Sequence, residues 1–158
     1  MMRKIVNPFT HGTPYKYPCF GCSPHNPIGL KLSFYEEGEA LYTEWIPEKN
    51  YEGYNGVVHG GIQALIQDEI ASWFIYSQVG TAGVTKSIAV EYHHPLRNNG
   101  DKVLVKATLF GQKDNEVTIL TEIYQNEKLC SSAHVTYFTF PEKIAKGKFH
   151  YPGKEAFF

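Results

Sequence analysis

Six stretches of the chain read as β-strands and one reads as a helix. Leu30-Lys31-Leu32-Ser33-Phe34 alternates apolar and polar positions, Glu37-Gly38 offers a turn, and Ala40 to Ile46 returns as the second arm of a hairpin. Pro47 ends that run, and Glu48 to Val58 is a loop with Asn and Gly turn formers. Four more strand-like segments follow the helix: Thr85–Tyr92, Lys102–Gly111, Glu116–Tyr124 and Leu129–Phe140. Their connectors, Asn98 to Asp101, Lys113 to Asn115 and Gln125 to Glu127, are short and polar, which predicts an antiparallel meander. Residues 1–27 are an arm without a sustained period. The tail, 141–158, is basic and aromatic, and its terminal Phe157-Phe158 is expected to be loose or to pack on a partner or an acyl chain.

Gly60 to about Gln78 is the one long helix. At about 100° per residue, Ile62, Ile66, Ile70 and Trp73 fall on one side. Gly61, Ala64, Asp68, Ala71, Ser72 and Ile75 fall nearly opposite. A bulky apolar face suits a sheet, and a face of small residues invites close approach by another backbone. The pattern therefore predicts an α+β domain over residues 28–140, with an antiparallel β-sheet of five to six strands wrapped around one long central helix.

Composition narrows the function classes. The chain has 158 residues, 42% of them hydrophobic and 15% aromatic, enough for a packed core. Its 15 Lys and Arg against 16 Asp and Glu give a net charge of -1, which argues against a nucleic-acid partner. No apolar run approaches the roughly 20 residues needed to span a bilayer. No apolar segment follows the basic pair at Arg3-Lys4, so no secretory signal is expected. Cys19, Cys22 and Cys130 are an odd number and read as reduced cytoplasmic thiols.

Asp68 brings chemistry to this framework. A charged side chain on a helix covered on both sides is costly unless it is paired or hydrogen-bonded. Glu69, about 100° round the helix at the edge of the bulky stripe, is the alternative acid. His59-Gly60-Gly61 opens the helix, and the N–H groups there are unsatisfied, stand at its positive end and can stabilise a developing oxyanion. Gly60 and Asp68 are eight residues apart, about 12 Å along the axis at 1.5 Å per residue. A base and an oxyanion donor must both come within about 3 Å of one carbonyl. One helix cannot do this, but two antiparallel copies across a two-fold axis can, so catalysis here implies a homodimer.

The segment Gly53-Tyr54-Asn55-Gly56-Val57-Val58-His59-Gly60-Gly61, with an acid nine positions after the His, resembles the signature of hot-dog-fold acyl-CoA thioesterases. The branch it is most similar to is the phenylacetate-pathway (PaaI-like) one. Thr85 through Tyr92-His93-His94-Pro95 resembles that family's Thr-to-Tyr-x-x-Pro strand. Cys19-Phe20-Gly21-Cys22 through Asn26-Pro27-Ile28-Gly29-Leu30 resembles the opening of one subgroup, departing from it at Ser23 where Gly is usual. The resemblance covers roughly residues 19 to 140. It implies that Asp68 is general base or nucleophile, that the Gly60 or Gly61 N–H polarises the thioester carbonyl across the dimer interface, that His59 orients that end, and that the Thr85 hydroxyl positions water. Gly61, Asn55 and Gly56 are then expected to line the substrate. Lys86 and Arg97 are the candidate cations for coenzyme A phosphates, although no spacing separates them, or Lys102 and Lys106, from solvated surface charge. Gly53 stands where some relatives carry an Asn that reaches the site, so no side-chain role is expected there.

The alternatives are a hot-dog acyl-thioester hydratase or dehydratase, whose motif is absent, and a non-catalytic acyl-CoA sensor, which has no need of Asp68. Cys19-x-x-Cys22-x-x-His25, with Cys130, has the spacing of a metal site. The resemblance accounts for both cysteines without metal, so no metal or cofactor is expected. His93, His94 and His134 read as ordinary strand polar residues. The acyl group, any ranking of Trp73, Phe74 and Tyr92 as its pocket, and dimer against tetramer stay open.

Overall fold

The computed structural model describes residues 1–10 and 17–158; residues 11–16 of the expected arm lie outside the described residues. Seven strands form one antiparallel sheet: β1 (Arg3–Lys4), β2 (Phe34–Glu37), β3 (Ala40–Trp45), β4 (Gly83–Tyr92), β5 (Val103–Lys113), β6 (Glu116–Gln125) and β7 (Lys128–Thr139). Their spatial order is β1-β2-β3-β5-β6-β7-β4. The sheet curls round α1 (Gly60–Phe74), which continues as one wide turn, Ile75–Val79, before Gly80 stops it in a left-handed conformation. This is the hot-dog arrangement, with β1 of the arm raising the strand number to seven.

Alternation along the strands builds the core. Val103, Val105 and Ala107 of β5, Val117, Ile119 and Ile123 of β6, and Ala133, Val135 and Tyr137 of β7 are buried against α1. The helix answers with Ile66, Ile70, Trp73 and Phe74, all buried. Gln67 is buried too, and is satisfied: Thr121 Oγ1 donates to its Oε1 at 3.0 Å, and its Nε2 reaches Gln63 O and Ser131 Oγ.

Four expectations fail. The segments after the helix do not make one meander: β5, β6 and β7 do, but β4 pairs with β7 at the far edge of the sheet. The polar run 98–101 is no hairpin turn. It belongs to a crossing segment anchored by buried Leu96, whose carbonyl accepts Val58 N, and by an antiparallel bridge between Val57 and Arg97. Leu30 to Ser33 is not sheet either. Leu30 and Leu32 are buried as alternation requires, but their N–H groups bond Phe20 and Gly21 carbonyls, and Lys31 takes a positive φ of 52°. The tail is also ordered: α2 (Glu142–Phe149) is followed by Phe157, fully buried among Phe9, Trp73, Tyr76 and Tyr151.

Candidate active site

His59 caps α1. Its Nδ1 accepts the Gly61 N–H at 2.8 Å, which assigns the proton of the neutral ring to Nε2. The Gly61 donor is thereby used, whereas the Gly60 N–H has no protein partner among the described residues. Tyr92 OH donates to Gly60 O at 2.6 Å, and a Cβ at Gly60 would stand 3.2 Å from that hydroxyl, so glycine permits the close approach.

His59 and Gly60 open on a cavity of about 830 Å³ lined by Glu52, Gly53, Tyr54, Val57, Val58, Gln63, Tyr92, His93, His94 and Pro95 as well. Gln63, which sequence reasoning missed, lies four residues after the cap. Its Nε2 donates to Val58 O, and its Oε1 is the single buried side-chain oxygen or nitrogen among the described residues without a partner. Asn55 and Gly56 shape the loop beside the cavity rather than its wall. Gly56 takes a φ of 76°, and its N–H is held by Glu52 Oε2. His93 and His94 do line the wall, where His93 Nε2 meets Ser132 Oγ at 3.0 Å.

Asp68 lies on the half-buried small-residue side of α1, outside this cavity. Its Oδ1 accepts the Thr85 hydroxyl at 2.9 Å and the Tyr137 hydroxyl at 2.7 Å. Thr85 of β4 and Tyr137 of β7 are cross-strand partners, and a bulge between Thr85 and Ser87 sets the register there. No side chain among the described residues bonds Oδ2, which leaves one carboxylate oxygen for chemistry. Tyr137 was the second omission. Alternation places it inward with Ala133 and Val135, and a phenol there calls for an acceptor. Burial, and then the Asp68 charge, push that phenol up, so it stays a donor.

Glu69 faces the other way, towards Cys19, Cys22 and Trp73, and burial, aided by Cys19, raises its carboxyl to about 8. Lys86 is ion-paired with Glu116, and Arg97 sits beside the cavity through its bridge to Val57. Gly60 opens the helix and Asp68 lies at its middle, and the cavity that Gly60 lines does not include Asp68.

The family model for the thioesterase superfamily matches residues 55–131. Solved structures of similar fold include a thioesterase-superfamily protein at 20% identity and TM-score 0.67, covering 73% of this chain, which spans 57% of that chain's length. A Streptococcus mutans protein bound to acetyl CoA is 16% identical with TM-score 0.64, over 70% of this chain and 90% of its own. A hypothetical thioesterase protein from Streptococcus pneumoniae, solved with coenzyme A, is 19% identical with TM-score 0.62, over 66% and 84%. No curated protein matches the chain by sequence.

Proposed function

We propose, for a chain whose residues 55–131 belong to the thioesterase superfamily and whose fold is the hot-dog, that it is an acyl-CoA thioesterase of the PaaI-like branch acting as a homodimer. The observation that carries the reading is the Asp68 carboxylate, with one oxygen fixed by two hydroxyls and the other unengaged. Coenzyme A in one solved structure of similar fold and acetyl CoA in another support the substrate class.

In this reading the thioester carbonyl lies against the Gly60 N–H of one protomer and faces Asp68 of its partner. Asp68 Oδ2 takes the proton as water attacks the carbonyl carbon. The oxyanion forms on the helix N-terminus, and its collapse expels the coenzyme A thiolate. Direct attack by the carboxylate, giving an anhydride that water then cleaves, uses the same geometry. The 830 Å³ cavity takes the pantetheine arm, whose amide N–H groups supply the donor that Gln63 Oε1 lacks, and Arg97 stands near the phosphates. Lys86 does not serve there while Glu116 holds it.

The test is release of free thiol from acyl-CoAs of graded chain length and from aromatic acyl-CoAs. Asp68→Asn should lower kcat by about a hundredfold or more, the size expected for loss of a general base. Acyl-CoA binding without turnover in the wild type would sink the proposal in favour of a sensor, and full activity in Asp68→Asn would remove Asp68 from the mechanism.

A further inference from the structure

The Cys19-x-x-Cys22 loop folds directly onto the second acid of α1. One ligand-type atom from each of Cys19, Cys22 and Glu69 lies within 4.8 Å of the others. Cys19 Sγ stands 3.3 Å from Glu69 Oε1, and Trp73 Nε1 donates to the same oxygen at 3.2 Å. The Tyr17 hydroxyl is 3.0 Å from Cys22 Sγ. The loop is tightly turned, with Ser23 N donating to Cys19 O and the amides of Gly21 and Cys22 lying against Cys19 Sγ. At Gly21 a Cβ would come within 2.5 Å of Glu69 Cδ, so a larger residue there would have to push the carboxyl aside.

Three groups that become anions on losing a proton are thus gathered where water is scarce. No basic side chain among the described residues is ion-paired with any of them. Such a cluster either retains its protons or exchanges them for one divalent cation. Two sulfurs and one carboxylate oxygen are a donor set for a borderline-soft ion with tetrahedral preference. A Cys-x-x-Cys turn is a common means of offering two sulfurs to one ion. Tetrahedral ligands 2.0–2.3 Å from zinc are about 3.5 Å apart, so atoms within 4.8 Å of one another need to close by at most about 1.3 Å.

We propose that Cys19, Cys22 and Glu69 form a zinc-binding site, with its fourth position at the Tyr17 hydroxyl or a water beside it, and that the ion pins residues 17–32 to α1. Binding releases the two thiol protons, and that of Glu69 where it is held, to solvent. The spacing-based partners take no part: His25 is exposed outside the cluster, and Cys130 Sγ faces the carbonyls of Lys128 and Pro95. Since Glu69 adjoins Asp68 on the helix, the ion sets the rotation of α1 and stands apart from the thioester chemistry.

Full-length protein, kept reduced, is loaded with zinc, desalted and measured for metal by mass spectrometry, and a cobalt-loaded sample is read for thiolate-to-cobalt charge transfer. About one ion per chain is expected, together with that absorption band. Cys19→Ser, Cys22→Ser and Glu69→Gln should each weaken binding by about tenfold or more, whereas His25→Ala and Cys130→Ser should bind as wild type does. Because the serine variants can fail to fold, a second measurement uses the wild type alone: chelation should lower Tm and zinc restore it. Reduced wild type that binds no stoichiometric metal, a Tm indifferent to chelation, or metal lost in His25→Ala would each overturn the site. So would a Cys19–Cys22 disulfide whose reduced form takes up no ion. None of these readouts depends on whether the chain hydrolyses thioesters.

Discussion

Two neighbouring acids on α1 are held in different surroundings. Glu69 lies under the Cys19–Cys22 loop, where burial raises its carboxyl to about 8, and Asp68 lies on the small-residue side of the helix between two hydroxyl donors. Fixing Asp68 Oδ1 serves the proposed reaction, since a carboxylate that swings loses the alignment on which general-base catalysis depends. Tyr137 holds this oxygen at 2.7 Å and also donates to the Asp68 carbonyl at 3.0 Å, so it ties the side chain to its own backbone turn. It is a positioning residue in the proposed reaction. Tyr137→Phe removes a hydrogen bond to a charged group, worth about 1.5–3 kcal/mol, and should lower kcat by about tenfold to a hundredfold while KM holds. Steady-state kinetics on one acyl-CoA decides this: an elevated KM with unchanged kcat would mean that the phenol shapes the substrate pocket instead.

The elements differ in how far local pattern determines them. α1 was legible because its two faces differ in side-chain size, and β5, β6 and β7 because they alternate over most of their length and are joined to one another by tight polar turns. The place of β4 was not. A polar Asn-Asn-Gly-Asp run looks the same in a hairpin and in a crossing segment, and buried Leu96, which distinguishes them, is set by tertiary packing. Asp68 and His59 stood out at the level of residue type, whereas Tyr137 became visible only through its bond to Asp68, far away in sequence, and Gln63 only through burial that leaves its Oε1 without a partner. The tail was misread for the same reason. Phe157 has no local periodicity, yet it stacks on Tyr76 with ring centroids 5.6 Å apart, meets Trp73 edge-on at 5.6 Å and bonds Val6 N through its carbonyl. It closes the bulky end of α1. Phe157→Ala should therefore cost about 3 kcal/mol, at the lower end of the 3–5 range for buried Phe because a chain end can relax. Urea unfolding measures it, and a loss below about 1 kcal/mol would show that this aromatic cluster holds without its terminal member.

At the scale of the molecule, the question is what completes a site whose parts lie along one helix. β4 is the terminal strand of the sheet, ten residues long, and beyond β7 it has no partner on its outer side among the described residues. It exposes Val84 at 44%, Ile88 at 37% and Tyr92 at 53%. A long apolar edge of this kind invites pairing. Pairing β4 with a second β4 about a two-fold axis is the arrangement that can set the Gly60 end of one α1 against Asp68 of the other. Shared sites make a quantitative prediction that sites within one chain do not. Gly60→Pro removes the proposed oxyanion donor at the first helical position, where the helix backbone accepts proline although its Cβ must displace the Tyr92 hydroxyl, and should cost about a hundredfold to a thousandfold in kcat. Asp68→Ala removes the base. If the two variants are unfolded together and refolded in equal amounts, half of the dimers are mixed, and each mixed dimer holds one site with both groups intact and one with neither. Activity should then recover to about a quarter of wild type, since half the dimers carry half their sites. Recovery should vanish if Ile88→Lys is added to both chains, because a charge on the β4 edge opposes pairing. No recovery from the simple mixture would place Gly60 and Asp68 in the service of different chains' separate sites, and the cross-protomer mechanism would have to be abandoned.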